Sequence, residues 1–340
     1  MATDKERKPA SPEAKISRRT LFRGLGVLAT GAAAATIGEL LDGRENGLEA
    51  SVYIARAPAY EPLSLEAQIL EGFAVLGVTE TELSGKRVLL KPNLVETALG
   101  HGHINTHPSV VLAVAQAFRG LGAEPFLAEG QGHRRDSWLV LAESGMIDTL
   151  EAAELDFVDL NHDEIVQVPN GGGVSHFEHF WLPKTVIEAD FVVSLPKMKT
   201  HHWAGITCSM KNFFGTVPGL VYGWPKNPLH RAGIPQSIVD LNATIQPDFA
   251  IVDGVVGMDG DGPIMGNPKE LGCLVMGRNL PAVDATCARL MGLNPLGTTY
   301  LPLASGWLGP ILAKNIAQLG EPIAALAQRF EVLDEPHLRA

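Results

Sequence analysis

Cysteine is scarce in this chain. Its 340 residues include three, Cys208, Cys273 and Cys287, widely spaced and without a CxxC pair. No iron–sulfur cluster held by cysteines is therefore expected. One disulfide is open to the three in an oxidising compartment, and the spacing does not select the pair. Positive charge is also short, with 27 Lys and Arg against 38 Asp and Glu, a formal charge of −11. No basic stripe interleaved with aromatics is found, and both features argue against a nucleic-acid partner. Internal repeats and low-complexity tracts are absent. The 36 glycines and 23 prolines lie between apolar runs in a chain that is 46% hydrophobic. That composition fits a loop-rich α/β enzyme of one large or two medium domains rather than disorder.

The first 38 residues read as targeting rather than fold. Lys5, Arg7, Lys8 and Lys15 precede Ser17-Arg18-Arg19-Thr20-Leu21-Phe22, and an apolar Gly/Ala-rich run extends from Gly24 to Gly38. This is similar to a twin-arginine signal: an arginine pair, then a mildly hydrophobic stretch too short for a comfortable membrane span. Ala32-Ala33-Ala34 offers small residues, but no cleavage site stands out, so an uncleaved anchor stays open. No cysteine lies nearby to carry a lipid. Without residues 1–38, which hold seven Lys/Arg and three Asp/Glu, the formal charge is −15. Twin-arginine export moves folded proteins, which raises the expectation of a bound cofactor.

Residues 39–60 read as a linker leading into a first strand at Val52–Ala55, and 61–335 as the α/β domain. Short apolar runs alternate with helical spacing: a helix at Leu65–Leu76, a strand at Arg87–Leu90, a helix opened by Pro108, a strand at Pro125–Ala128. Further strands are expected at Leu155–Leu160, Ala189–Leu195, Phe249–Val252 and Leu274–Met276. Helices are expected at Pro235–Ile245 and Pro281–Met291, and the remaining C-terminal residues read as apolar and helical. Ile165–Val168 and Phe177–Leu182 flank Asn170-Gly171-Gly172-Gly173 as a hairpin. The alternation predicts a mostly parallel sheet with flanking helices, with two α/β subdomains as one arrangement.

Ligands of open α/β sheets bind at the carboxyl ends of strands. Four expected strand exits carry polar clusters: Lys91 and Asn93, Glu129 to Arg135, Lys197 to Lys211, and a glycine-acidic loop from Asp253 to Asp261. The richest is Lys197–His230, which groups Lys197, Lys199 and Lys211 with His201, His202 and His230 around an Asn-Phe-Phe-Gly turn. Buried ammonium and imidazole groups need partners or a ligand, so this segment is the expected site. Lys199 and His201 are candidates for acid–base work. Lys211, between Met210 and two phenylalanines, is expected to have a depressed pKa and to serve as nucleophile or tether. A snorkelling lysine on a helix face is the plainer reading. Lys91, Asn93, Lys197 and Asn212 are assigned to the substrate, as are Arg134 and Arg135 as an anion clamp. His230 reads either as a metal ligand or as a loop histidine. His101, His103 and His107 form an HxH with a third histidine, read as a metal site or as part of a mobile lid. Asp259 and Asp261 read as a cation-binding turn or simply as a turn.

The order Lys91-Pro92-Asn93-Leu94, Thr106-His107-Pro108, Glu129-Gly130, Lys197 to His201, Lys211-Asn212, Ile251-Val252-Asp253-Gly254 to Gly262-Pro263, then Ala282-Val283-Asp284-Ala285 resembles the domain of unknown function 362 family over about residues 85–295. That resemblance implies no settled activity. Some members carry a ferredoxin-like module, which this chain lacks. A more distant similarity is to nickel-pincer lactate racemases, through His201-x-x-Ala204-Gly205-x-Thr207-x-x-x-Lys211, Pro218-Gly219 and His230. It implies a proton carrier at His201, a covalent tether to a nickel-containing organic cofactor at Lys211, and a nickel ligand at His230. The Lys-to-Pro-Gly interval is longer here, and Ser209-Met210 replaces the glycine-containing pair before the lysine.

The expected function is an exported, periplasmic or extracytoplasmic enzyme acting on a small anionic carboxylate. It would use a nickel-containing organic cofactor or another divalent metal, in racemase-like or epimerase-like hydride and proton transfer. The alternative is a non-catalytic periplasmic protein that binds an anion or metal cofactor. Expected partners are the small anion and the twin-arginine translocase, with membrane contact only through an uncleaved signal segment.

Overall fold

The computed structural model describes residues 39–97, 102–132 and 136–334. The chain divides into residues 1–40 and 41–340, and the sheet, helices and cleft all belong to the second unit. The signal-like segment, His101, Arg134 and Arg135 lie outside the described residues.

One ten-stranded sheet organises this unit. Its strands are β1 (Ala50–Arg56), β2 (Arg87–Pro92), β3 (Glu124–Glu129), β4 (Phe157–Asp159), and, after a separate hairpin of β5 (Ile165–Pro169) and β6 (His179–Pro183), β7 (Phe191–Leu195), β8 (Lys197–His201), β9 (Gly205–Thr207), β10 (Phe249–Asp259), β11 (Asn267–Gly277) and β12 (Ile316–Gly320). The order along the sheet is β12-β1-β11-β10-β7-β2-β3-β4, with β8 beside β10 and β9 beside β8. The pairings of β10-β7, β7-β2, β2-β3, β3-β4, β1-β12 and β10-β8 are parallel. Only β11 and β9 run against their neighbours. The fold is α/β with a mostly parallel sheet, and one sheet serves the whole unit rather than two subdomains.

Among the described residues, four helices of eleven residues or more flank the sheet: α1 (Pro62–Val75), α2 (Pro108–Gly120), α3 (Ile234–Ile245) and α4 (Leu280–Leu290). Each has proline in its first turn, where the missing N–H costs nothing. His107 caps α2 by accepting from the Ser109 N–H, and Asn279 caps α4 by accepting from Ala282. Helices α1 and α2 share a buried apolar layer with Tyr53 and Ala55 of β1, Val88 and Leu90 of β2, and Phe191, Val193 and Leu195 of β7. Phe73 stands 4.9 Å from Phe118 and 5.6 Å from Phe249, ring centre to ring centre, at that layer's middle. The alternate residues of β1, Val52 and Ile54, face the other side. Parallel strands covered on both faces read as unbroken apolar runs, which is why β2 and β7 were visible in the sequence.

Three expectations change. Residues 41–60 are not a linker: Leu41 is buried, and the buried Glu45 carboxylate accepts from Ser305 Oγ at 2.5 Å, the Ile311 N–H at 2.8 Å and the Leu312 N–H at 3.1 Å. The run from Asp253 to Asp259 is strand rather than loop, because β11 pairs with it along most of its length. The C-terminal part is not simply helical either, since β12 closes the sheet beside β1.

Candidate functional site

A cleft of about 410 Å³ opens where β2, β3 and β8 end. Its walls include Lys91, Asn93, Glu129, Lys199, His201, His202, Lys211, Asn212, Lys226, His230 and Asp261. All four expected strand exits thus contribute to one cleft. The fourth contributes through Asp261, past the end of β10, rather than through Asp253.

At the floor, Lys91 at the end of β2 meets Glu129 at the end of β3. Both are buried, with Nζ at 3.0 and 2.9 Å from the two carboxylate oxygens. Lys91 also donates to Asn212 Oδ1 at 3.2 Å, while Glu129 accepts from the N–H groups of Leu94 and Gly130. Burial lowers the Lys91 pKa and Glu129 opposes that. Asn212 fixes its own amide by donating to Lys91 O and Ser194 Oγ. The first turn of the 3-10 segment Lys211–Thr216 is thereby tied to two strands. Gly215 of that segment lies over the ion pair, and a Cβ there would run into both Glu129 Oε1 and Lys91 Nζ. Gly215→Ala is therefore expected to cost about 1–3 kcal/mol by overpacking, read as a lower urea midpoint with unchanged slope.

Three further lysines surround the cleft without a carboxylate of their own. Lys199 is fully buried and donates to the carbonyls of Ile104 at 2.9 Å and Pro263 at 3.2 Å. Burial, with Lys197 and Lys211 nearby, holds its pKa well below the ordinary lysine value. Lys226 donates to Gly130 O at 2.7 Å and Phe214 O at 3.0 Å. Burial first, and then Lys91 and Lys211 against the opposing Glu129, bring it to about 7. Lys211 differs from both. Its ammonium lies 4.2 Å from the centre of the Phe214 ring and makes no hydrogen bond or ion pair among the described residues. Burial and then Lys91 lower its pKa to about 8, the depression expected from its apolar neighbours. The backbone before it is pinned by buried Asp284, which accepts from Ser209 N–H and Oγ, Met210 N–H and Tyr300 OH.

Three histidines line the same cleft. His201, at the end of β8, is 5% exposed, and its Nδ1 accepts from the backbone N–H of Trp203 at 3.0 Å and of Ala204 at 3.3 Å. Burial, then Lys211, His202, Lys199 and His230, keep its pKa well below the ordinary histidine range. His202 stands 3.6 Å from Asp261 at a more open position. His230 donates from Nδ1 to Lys226 O at 3.2 Å, and the Trp203 ring centre lies 5.4 Å from that of His230 and 6.3 Å from that of His201.

Of the residues singled out from sequence, Lys91, Asn93, Lys199, His201, Lys211, Asn212 and His230 meet in this cleft. Lys197 does not. It lies two residues before Lys199 on β8, but is buried in an ion pair with Asp253 at 2.6 Å, also donating to Tyr60 OH at 2.9 Å. Its substrate role is corrected to an internal one: opposite charge across β8 and β10 holds the sheet together there. Of the expected histidine trio, His103 bonds to Gly266 O and His107 caps α2, while His101 lies outside the described residues. Asp259 pairs with Lys269 rather than forming a cation turn with Asp261. Among the described residues no three His, Cys, Asp or Glu side chains come together as a metal set. All three cysteines are buried free thiols. Lys226 also lines the cleft; it falls inside the Lys197–His230 segment but is not singled out by the sequence, because it stands alone between Pro225 and Asn227.

The chain is similar to known proteins. A thylakoid-associated protein of Synechocystis is 31% identical over 252 residues, covering 72% of this chain and 75% of that protein. Among solved structures, the lactate racemase apoprotein of Thermoanaerobacterium thermosaccharolyticum aligns with a TM-score of 0.42 and 13% identity. That alignment covers 73% of this chain, which spans 58% of the racemase. The model of the domain of unknown function family DUF362 matches residues 88–289, the span that holds the sheet centre and nearly all of the cleft. On that match the chain belongs to the DUF362 family.

Proposed function

We propose that the cleft binds a small organic carboxylate and acts on it as an enzyme. The observation that carries this reading is a charge imbalance. Lys91 and Glu129 cancel, while Lys199, Lys211 and Lys226 converge on the same volume with, among the described residues, only the exposed Asp261 in return. In a chain of net charge −11, three converging amino groups favour an anionic ligand held by charge-assisted hydrogen bonds, because a bound anion would stabilise their ammonium forms. Isothermal calorimetry with oxalate, and with inorganic phosphate as the competing anion class, tests it. The expected result is oxalate binding that weakens with salt, and no heat from either anion would defeat the reading.

Lys211 sets the pH dependence. Its pKa of about 8 makes it ammonium at pH 7 and amine at higher pH. Bound anion stabilises the charged form and raises that pKa, so binding takes up protons near pH 8. Affinity is expected to fall as pH rises through about 8, approaching roughly tenfold per pH unit beyond it if this one proton is required. Calorimetry in buffers of different ionisation enthalpy measures the uptake directly.

The residues present suit an organic cofactor that brings its own donors better than a bare divalent ion, which would need a fuller protein ligand set. Lys211 and His230, on one cleft, would hold such a group, as the nickel-pincer resemblance implies. When bound it would supply a hydride acceptor. The support here is the convergence of Lys211, His201 and His230 alone. Mass spectrometry of Lys211 in protein from its native host tests the tether, and an unmodified Lys211 in metal-free protein would remove it.

We further infer an extracytoplasmic, membrane-associated location, reached through the twin-arginine translocase. The Arg18-Arg19 segment and the thylakoid association of the relative support this. No helix among the described residues is long and apolar enough to cross a membrane. Replacing both arginines with lysine in the full chain is expected to leave the protein inside the cytoplasmic fraction.

A further inference from the structure

We infer that His201 is a fixed, neutral N–H donor to the anion in the cleft and not the group that carries a proton. The inference rests on the anion-binding reading and adds a role within it. A neutral imidazole has one donor and one acceptor nitrogen. At His201 the choice is made by the backbone, because the N–H groups of Trp203 and Ala204 can only donate, and both point at Nδ1. The lone pair must then be on Nδ1, and the ring proton on Nε2.

Each alternative state is penalised. Protonating Nδ1 would break both backbone bonds and place a cation among Lys199, Lys211, His202 and His230, the titratable groups around the ring. Moving the single proton from Nε2 to Nδ1 would set that N–H against two others. A proton carrier must hold a lone pair towards its substrate at one stage, and Nε2 has none to offer in the observed arrangement. What Nε2 can do is donate a hydrogen bond. From a site that is 5% exposed and preorganised by Ala204 and Trp203, such a donor stabilises negative charge on a ligand oxygen without reorganising. His201 and Lys211 would then grip the anion together, one by a neutral dipole and one by charge. The short turn Trp203-Ala204, joining β8 to β9, exists in part to set this tautomer.

The tautomer can be read without a ligand. Long-range proton–nitrogen NMR on the full chain with labelled histidine, using His201→Gln to identify the signal, is expected to show a protonated Nε2 and a lone-pair Nδ1, unchanged from pH 6 to pH 8. A protonated Nδ1, or a ring that titrates in that window, would overturn the inference while leaving anion binding intact. The binding arm uses two variants. Gln keeps a side-chain N–H but cannot carry a proton, so His201→Gln is expected to hold oxalate within about threefold of the wild type, whereas His201→Leu loses roughly tenfold. Equal losses in the two variants would refute the donor role. A wild type that binds neither oxalate nor phosphate would overturn the anion-binding reading, and the donor role with it, whatever the tautomer.

Discussion

Asp253→Ala is expected to destabilise the fold by about 3–5 kcal/mol, the range for breaking a buried ion pair from one side. Asp253 is fully buried on β10. Its carboxylate receives Lys197 Nζ at 2.6 Å, Tyr60 OH at 3.1 Å and the His107 N–H at 3.0 Å. Removing it leaves the Lys197 ammonium with only the neutral Tyr60 OH and Val256 O, and takes the acceptor from the Tyr60 O–H and the His107 N–H. Lys197 is the most costly of these, since burial already depresses its pKa and Asp253 is what opposes that. Urea unfolding measures the loss. A second variant separates charge from shape: Lys197→Met with Asp253→Leu removes both charges and should be less damaging than Asp253→Ala alone. If Asp253→Ala cost less than about 1 kcal/mol, the pair would not be an anchor of the sheet.

Lys211→Met is expected to do the opposite, leaving stability nearly unchanged while weakening oxalate binding roughly 10–100-fold, the range for a lost charged hydrogen bond. Lys211 has no internal hydrogen bond among the described residues, and its ammonium lies over the Phe214 ring. Methionine can fill that space. The fold therefore loses little, and it also stops carrying the cost of holding a cation there. The ligand loses the one cleft ammonium, among the described residues, not already engaged with a carbonyl or carboxylate. Thermal melting and calorimetry on the same sample separate the two effects. Unchanged oxalate affinity in a folded Lys211→Met would remove Lys211 from the site. Lys91→Met is the contrasting control, because it abandons Glu129 and should damage the fold first.

How much of this could be read from the residues depended on burial. Strands β2 and β7 announced themselves because parallel strands covered on both faces become continuous apolar runs. Strands β8 and β9 did not, although they are equally buried. Lys197, Lys199 and His201 break the apolar pattern, and their polar ends are satisfied by Asp253, by the carbonyls of Ile104 and Pro263, and by the turn after β8. A polar residue whose partners are far away in sequence looks like loop. The run from Asp253 to Asp259 misled for the same reason, with glycines that suit close packing against β8 taken for a turn. Met198 O, for example, would lie 2.8 Å from a Cβ at Gly257.

The sequence by itself determined the α/β class, the family pattern and the segment in which the chemistry is concentrated. These depend on periodicity and on local crowding of residue types, both legible along one dimension. The tertiary structure decided which charges cancel and which remain for a ligand. Lys91 and Glu129 are 38 residues apart, Lys197 and Asp253 56 apart, and strand order alone brings each pair together. Lys197 and Lys199 are two residues apart on one strand, yet one is neutralised inside the sheet and the other faces the cleft. Lys226 reaches the cleft by a contact with Gly130, 96 residues away. Electrostatic pairing acts over a few ångströms in space, and chain distance carries no trace of it until the sheet is assembled.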